Sequence, residues 1–291
     1  MMSVNIKQKV AKIRYILNNM KSIYITDLDH TFLRSDLSIS TFSTDVWNSK
    51  AQSAIMGVAT ARSFTKSQEM LSKLHVNAPM ILLDGSIIIT PEKKVIDIKT
   101  LDKETGDAIV DVGSRLGIDP FIIGVNGKEL NEAFLYPRKL NDYQKTVLKG
   151  YKDDPRMQFN PSNRTMEKNL KIVYFGYEDQ LRPLYEELVK IFGKEIEAKL
   201  SPEKYGGGHF LTLLHPHGDK AHALTKVMEY LERDSSDVTV FGDSVNDIGM
   251  FKLAGTAVAV SNALDEVKDV ADVVLPHSND EDGVAKYLES I

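Results

Sequence analysis

Residues 22–31 read Ser-Ile-Tyr-Ile-Thr-Asp-Leu-Asp-His-Thr, an apolar run of strand type that ends at two aspartates. Its length and its β-branched and aromatic residues are typical of a buried strand. Two more short apolar runs, residues 54–59 and 238–241, are also followed directly by polar clusters. Because ligands bind beyond the carboxyl ends of the strands in an open parallel sheet, we expect the three clusters to converge on one crevice.

The order of elements along the chain predicts two domains. Strands and helices alternate as βαβ near both ends of the chain, which favours an α/β fold with a doubly wound, Rossmann-like parallel sheet. Residues 87–206 mix strands and helices without that order and predict an inserted α+β domain. The predicted core is therefore discontinuous, residues 1–86 and 207–291, and the glycine run at residues 206–208 is predicted to be a flexible loop or a hinge.

An amphipathic helix is predicted for residues 4–20. Its apolar stripe is formed by Ile6, Val10, Ile13 and Leu17. Such a helix either covers the main sheet or docks a second subunit, so a monomer and a homodimer both stay open.

The composition is that of an ordinary globular protein and excludes several kinds of partner and site. Of 291 residues, 42% are hydrophobic and 26% are charged, and the formal net charge of −5 argues against nucleic acid or an anionic membrane as the main partner. The absence of cysteine excludes disulfides, thiolate metal sites and cysteine nucleophiles. No apolar run reaches the roughly 18 residues of a membrane span. No apolar segment follows the N-terminal lysines either, so we expect a cytoplasmic protein without a signal peptide.

The polar clusters have the chemistry of a divalent metal and phosphate site. Residues i and i+2 of an extended segment point to the same side, so the carboxylates of Asp27 and Asp29 are predicted to sit together. Two unpaired carboxylates repel each other, and a hard cation such as Mg²⁺ removes that repulsion. Asp243, at the end of another predicted strand, supplies a third negative group.

The same residues can carry out phosphoryl transfer. Asp27 is a competent nucleophile toward phosphorus, and Asp29 can act first as the acid for the leaving oxygen and then as the base for water. Donors suited to the phosphoryl oxygens are the side chains of Thr60 and Lys220 and the backbone amides of Leu28 and Ala61.

In order and spacing, these residues resemble the haloacid dehalogenase superfamily of phosphatases. The resemblance is to the Cof-like, type IIB group, in which a large α/β cap is inserted mid-chain. It covers residues 21–86 and 208–291. The motif positions that match are Asp27, Asp29, Thr31, Thr60, Lys220, Asp243, Asn246 and Asp247.

The resemblance implies roles for these positions. Mg²⁺ would be held by the carboxylates of Asp27 and Asp243 and by the backbone carbonyl of Asp29. Asn246 would lie near the phosphate, and Asp247 would complete the metal site by orienting Lys220 or a metal-bound water. Outside the matched set, the interpretation of Arg62 is open, because it can contact the substrate or serve the structure.

Three positions depart from the pattern of the family. His30 and Ala61 stand where glycine is usual, and Asp84 replaces the asparagine of an Asn-Gly-Ala motif. Ala61 fits if its φ is negative, and His30 is expected to point away from Asp29 in an extended segment. None of the three removes a catalytic group, but they leave the substrate open.

The predicted function is Mg²⁺-dependent hydrolysis of a small phosphomonoester, such as a sugar phosphate, through an aspartyl-phosphate at Asp27, with the insertion acting as a cap that excludes water. A phosphomutase or phosphotransferase with the same chemistry and a non-catalytic phosphate-binding protein of the same fold are the alternatives. Residues 215–219 resemble the start of a zinc motif, but Lys220 stands where that motif needs a histidine.

Overall fold

A computed structural model of the protein describes residues 22–126, 131–151, 153–202 and 207–291. They form two compact units, one of residues 22–97 with Lys220–Ile291 and the other of Ile98–Asp219. The helix predicted for residues 4–20 lies outside the described residues.

Strands and helices alternate near both ends of the described chain, whereas several strands between residues 80 and 214 follow one another without an intervening α-helix. The strands described are β1 Ile23–Thr26, β2 Ile55–Val58, β3 Met80–Leu82, β4 Ile87–Ile89, β5 Val95–Ile98, β6 Leu101–Asp102, β7 Phe121–Asn126, β8 Asn131–Pro137, β9 Met157–Asn160, β10 Lys168–Gly176, β11 Glu197–Pro202, β12 His209–Leu214, β13 Val238–Gly242, β14 Thr256–Ala259 and β15 Val273–Val274. The α-helices described are α1 Thr41–Lys50, α2 Phe64–Met70, α3 Lys103–Arg115, α4 Asp142–Gly150, α5 Glu178–Phe192, α6 Lys220–Leu231, α7 Ile248–Phe251, α8 Asp265–Lys268 and α9 Gly283–Ser290.

The first unit is built on a parallel sheet, as the βαβ order predicts. Its strand order is β15-β14-β13-β1-β2, and every neighbouring pair is parallel. All four residues of β1 are buried, because parallel strands between helices bury both faces. Thr26 is level with Phe241 of β13 and with Val58 of β2, so the three strands end together at one edge of the sheet. The predicted α/β fold with a parallel core sheet is confirmed.

A second, smaller sheet of the first unit continues from β2. Ala59 forms a parallel bridge to Ile81 in β3, and β4 pairs antiparallel with β3. The strand order of this sheet is β3-β4-β5. Residues 87–97 therefore stay with the first unit, although the insertion was predicted to begin at residue 87.

The second unit contains a mainly antiparallel sheet in the order β11-β12-β10-β7-β8-β9, and β6 also pairs with β10. The core was predicted to resume at residue 207, but the first strand after that point, β12, pairs antiparallel with β10 and β11. The chain therefore returns to the first unit only at Lys220. One apolar cluster joins α3 and α5 to this sheet, and its members include Ile109, Val112, Ile122, Ile172, Tyr174, Leu184, Leu188, Leu211 and Leu213.

Side-chain caps fix where helices of the second unit begin. Asp102 accepts a hydrogen bond from the backbone N–H of Thr105 at 2.8 Å and starts α3. Asn141 and Gln144 form a reciprocal capping box that starts α4, a helix that the sequence analysis did not predict. Within the described ranges, no helix is both long and apolar enough to cross a membrane.

An ion pair ties the C-terminal segment of the first unit to the segment that follows β1. Arg34 donates to both carboxylate oxygens of Asp282 at 3.2 and 2.7 Å, and the hydroxyl of Ser43 donates to the same carboxylate at 3.0 Å. Burial opposes ionisation of Asp282, but the hydrogen bonds from Arg34 and its serine neighbours outweigh burial and hold the pKa of this carboxyl below its ordinary value of 3.8.

We expect Asp282→Asn to destabilise the protein at neutral pH and to do so less in acid. Because the pKa is lowered in the folded state, the stabilisation is present above pH 3.8 and is lost as the pH falls through the folded-state pKa. Arg34 is partly exposed, so the expected loss is about 1 kcal/mol or less, or about 2–4 °C in Tm at most. Thermal unfolding at neutral pH and below pH 3.8 measures it. A difference in Tm that grows in acid would contradict this account.

Candidate active site

The loop after β1 places the first pair of aspartates. Asp27 is still extended, with φ −65° and ψ 161°, and its backbone N–H donates to the carbonyl of Phe241 at 3.0 Å. The chain then turns through Leu28–Phe32, where Asp29 is still extended, with φ −65° and ψ 129°, and His30 has φ 56° and ψ 9°. The expectation that the segment stays extended through His30 is therefore wrong. This left-handed conformation explains why glycine is favoured at the position.

This turn gives the two aspartates different partners. Asp27 is 6% exposed and accepts a hydrogen bond from Lys220. Asp29 accepts two hydrogen bonds from Arg62, from Nε at 2.7 Å and from Nη2 at 2.5 Å. Arg62, whose role the sequence left open, thus holds the side chain predicted to move the proton.

Lys220 is the first residue of α6 and is fully buried. Its ammonium group donates to Asp27 Oδ1 and to Asp247 Oδ1, each at 2.8 Å. Burial alone would lower the pKa of Lys220, but the attraction of Asp247 and Asp27 is stronger and raises the pKa above the usual lysine value. Lys220 therefore stays a cation and fixes one oxygen of Asp27.

The loop after β13 orients Asp247 with backbone amides. Asp247 Oδ2 accepts hydrogen bonds from the backbone N–H groups of Asp243 and Ser244 at 3.0 and 3.1 Å. The Asp247 carboxyl lies against Gly242, where an added Cβ would lie 2.5 Å from Asp247 Cγ. Glycine is required at position 242 because the side chain of Asp247 approaches the backbone this closely.

Three buried carboxylates meet at this edge of the sheet. Asp27, Asp243 and Asp247 can each place one oxygen within 4.8 Å of the others, and Thr31 donates to Asp243 Oδ1 at 3.0 Å. Burial raises the pKa of Asp27 well above 3.8, Lys220 opposes that rise, and the neighbouring carboxylates add to it. Oxygen ligands in a cluster with excess negative charge are what Mg²⁺ prefers, so the residues present fit this ion.

The predicted phosphate-binding residues of the second strand lie at the same edge. Thr60 is fully buried, and its hydroxyl oxygen accepts the backbone N–H of Arg62 at 3.2 Å, which leaves the hydroxyl proton to be donated. Ala61 is not among the described residues with positive φ, which agrees with the requirement that its φ be negative. The side chain of Leu28 is buried, so only its backbone amide can serve a ligand.

A third predicted phosphate-binding residue, Asn246, contacts a residue that the sequence analysis treated only as a departure. Its amide Nδ2 donates to Asp84 Oδ1 at 2.9 Å. Asp84 follows β3, so a further strand end contributes to the site. The signal was available, since Asp84 is also a polar residue directly after an apolar run.

The histidines before α6 do not form a metal site with other side chains. The rings of His215 and His217 lie 5.8 Å apart. Among the described residues, three or more metal-ligating side chains of the His, Cys, Asp and Glu types meet only at the cluster of Asp27, Asp243 and Asp247. The structure therefore gives the zinc interpretation no support.

We expect Arg62→Lys to lower kcat about tenfold and Arg62→Met to lower it further. Arginine holds both oxygens of Asp29 in one plane, whereas lysine is a point charge that cannot reproduce the two-pronged contact. Steady-state kinetics with Tm as a check on folding measures the effect. A rise in KM without a fall in kcat would show instead that Arg62 binds the substrate.

Comparisons with known proteins match most of the chain. A family model described as haloacid dehalogenase-like hydrolase matches residues 24–288. The 5-amino-6-(5-phospho-D-ribitylamino)uracil phosphatase YwtE of Bacillus subtilis is 28% identical, covering 94% of this chain and 98% of its own. The phosphoglycolate phosphatase of Methanopyrus kandleri is 25% identical and covers 94% of this chain and 97% of its own.

Solved structures share the fold at low sequence identity. TM0651 from Thermotoga maritima superposes with a TM-score of 0.74 at 22% identity, covering 93% of this chain and 97% of its own. The HAD subclass IIB sugar phosphatase BT4131 gives a TM-score of 0.72 at 18% identity, covering 92% and 98%. At this level of identity, the likeness establishes the arrangement of a parallel core with a mid-chain insertion.

Proposed function

The chain belongs to the haloacid dehalogenase-like hydrolases, and from that membership we propose that it hydrolyses small phosphomonoesters through an aspartyl-phosphate at Asp27. The observation that carries the proposal is the contact between Asp27 and the buried Lys220 beside two further carboxylates. A carboxylate at a strand end that an ammonium group holds is suited to nucleophilic attack, because the cation favours its ionised form and fixes one of its oxygens.

The first half of the proposed reaction uses Asp27 and Asp29. A carboxylate oxygen of Asp27 forms a bond to phosphorus while the bond from phosphorus to the leaving oxygen breaks, and protonated Asp29 gives its proton to that oxygen. Lys220 holds Oδ1 of Asp27 and so orients the attacking carboxylate. Arg62 occupies one acceptor position on each oxygen of Asp29, so the transferred proton would be carried at a remaining lone pair of one of these oxygens.

The second half releases phosphate. Water forms a bond to phosphorus, Asp29 takes a proton from that water, and the bond between phosphorus and Asp27 breaks. Thr60, Asn246 and the backbone amides of Leu28 and Ala61 are the proposed donors to the phosphoryl oxygens.

We propose Mg²⁺ as the cofactor, held by the carboxylates of Asp27 and Asp243 and the backbone carbonyl of Asp29. When bound, the ion would reduce the repulsion between the nucleophile and the phosphate. Asp247 is proposed to serve the metal site by orienting Lys220, in agreement with its contact to that ammonium group. We also propose that the inserted unit acts as the cap found in this family. The proposed location of the protein is the cytoplasm.

The proposed substrate class is a small phosphorylated sugar, polyol or similar metabolite. Two relatives support this class, because one is named as a phosphatase of 5-amino-6-(5-phospho-D-ribitylamino)uracil and the other as a phosphoglycolate phosphatase. The test is release of orthophosphate from a panel that contains both compounds and a series of sugar phosphates. We expect Mg²⁺-dependent turnover of at least one of them.

The same panel separates the alternatives. An added alcohol that receives the phosphoryl group in preference to water would favour a phosphotransferase or mutase. Binding of orthophosphate without turnover of any panel member would favour a non-catalytic protein. Either result would contradict the proposed hydrolase.

A further inference from the structure

Asp84 is a buried titratable residue to which the proposed reaction gives no task. It is 4% exposed and follows β3 in a left-handed conformation, with φ 61°, directly after Leu83 at φ 49°. Aspartate adopts this conformation more readily than most residues, but leucine rarely does, so the surrounding structure must hold the turn in place at Leu83. The turn therefore fixes where the backbone of Asp84 lies.

The side chain of Asp84 is directed toward Asn246. Asp84 Oδ1 accepts a hydrogen bond from Asn246 Nδ2 at 2.9 Å across 162 residues of chain. A carboxylate accepts and cannot donate when ionised, so it binds only the nitrogen end of the amide and determines which way that amide faces. Oδ1 of Asn246 is buried and has no hydrogen-bond partner in the part of the chain that the structure describes.

We propose that Asp84 is a positioning residue that fixes the amide of Asn246 for the phosphoryl ligand. It holds one N–H of Asn246 Nδ2, which fixes the plane of the amide and leaves the second N–H to donate to a phosphoryl oxygen. The inference rests on the proposed function, because the ligand is the phosphoryl group of that reaction. An asparagine at position 84 could bind either the nitrogen or the oxygen of the Asn246 amide, because its own amide both donates and accepts hydrogen bonds.

A double-mutant cycle tests the proposal. We expect Asp84→Ala and Asn246→Ala each to lower kcat/KM about 10- to 100-fold, the range for loss of a charge-assisted hydrogen bond. The double variant should be no worse than the poorer single variant, because Asp84 acts only through Asn246. The inhibition constant of orthophosphate should rise by a similar factor in all three variants, and Asp84→Asn should recover part of the loss.

The exposed Asp45 in α1 supplies the matched control, and Asp45→Ala should leave kcat/KM unchanged. If Asp84→Ala lowers kcat/KM equally in the parent protein and in Asn246→Ala, the two residues act independently and the proposal is overturned. A lower Tm with an unchanged inhibition constant would also overturn it.

A failure of the positioning role of Asp84 can be told apart from a failure of the proposed function. If the parent protein hydrolyses no phosphomonoester, calorimetric titration with orthophosphate still compares the parent with Asp84→Ala and Asn246→Ala. Weaker orthophosphate binding in both variants would support the role of Asp84 in a non-catalytic protein. Unchanged binding in Asp84→Ala would refute it.

Discussion

Asp27→Asn is expected to lower kcat by about 10⁴-fold or more, the usual scale for loss of a nucleophile. Asparagine has the same shape, and its amide oxygen can still accept the hydrogen bond that Lys220 now donates at 2.8 Å. The substitution also removes a negative charge that burial disfavours, since burial is the main cause of the raised pKa of Asp27. The variant should therefore remain folded, with a Tm close to that of the parent protein.

Rapid quenching with a substrate whose phosphoryl group carries radioactive phosphorus measures formation of the aspartyl-phosphate directly. The parent protein should carry label on the chain, and Asp27→Asn should carry none. Asp45→Asn, an exposed change of the same type in the same unit, should be labelled like the parent. Full turnover by Asp27→Asn, or label on that variant, would exclude Asp27 as the nucleophile.

The sequence predicted the core sheet and its catalytic edge because both depend on patterns that a chain carries locally. Short apolar runs separated by helices specify parallel strands, and the chemistry lies directly after those runs. In the structure, β1, β2 and β13 end at the same level, which brings Asp27, Thr60 and Asp243 to one edge.

The partners of individual side chains were less predictable, because they depend on loop conformation. The extended geometry assumed for residues 27–31 fails at His30, whose positive φ is not encoded by a residue type that usually adopts it. The pairs Asp29 with Arg62 and Asp84 with Asn246 follow from how separate loops fold. Neither pair has a spacing that a sequence could reveal.

In the second unit, the sequence analysis misplaced β12 and missed α4, for different reasons. β12 follows a glycine run and precedes the core motif, so its position in the chain suggested the core, but its hydrogen bonds place it between β10 and β11. Pairing of distant strands is decided by register and packing, not by order alone. The helix α4 did have a local signal, because Asn141 and Gln144 have the spacing of a capping box.

Removal of divalent cations with a chelator is expected to reduce turnover to the background rate, and added Mg²⁺ should restore it. The reason is the charge of the buried cluster. When all three carboxylates are ionised, Asp27, Asp243 and Asp247 contribute −3 and Lys220 contributes +1, and one Mg²⁺ ion would neutralise the resulting charge of −2. Without that compensation, burial and the neighbouring carboxylates keep the pKa of Asp27 raised, which disfavours the ionised form that attacks phosphorus.

A measurement of stability separates metal binding from catalysis. Mg²⁺ at about 100 times its Kd should stabilise the folded parent protein by about 2.7 kcal/mol, visible as a rise in Tm. Asp243→Asn removes one ligand and one charge, so we expect a much smaller rise at the same concentration, whereas Asp45→Asn should behave like the parent. If Mg²⁺ leaves the Tm of the parent unchanged and the chelated protein still turns over, the carboxylates must serve Lys220 alone, and the reaction would proceed by attack of Asp27 without a cation.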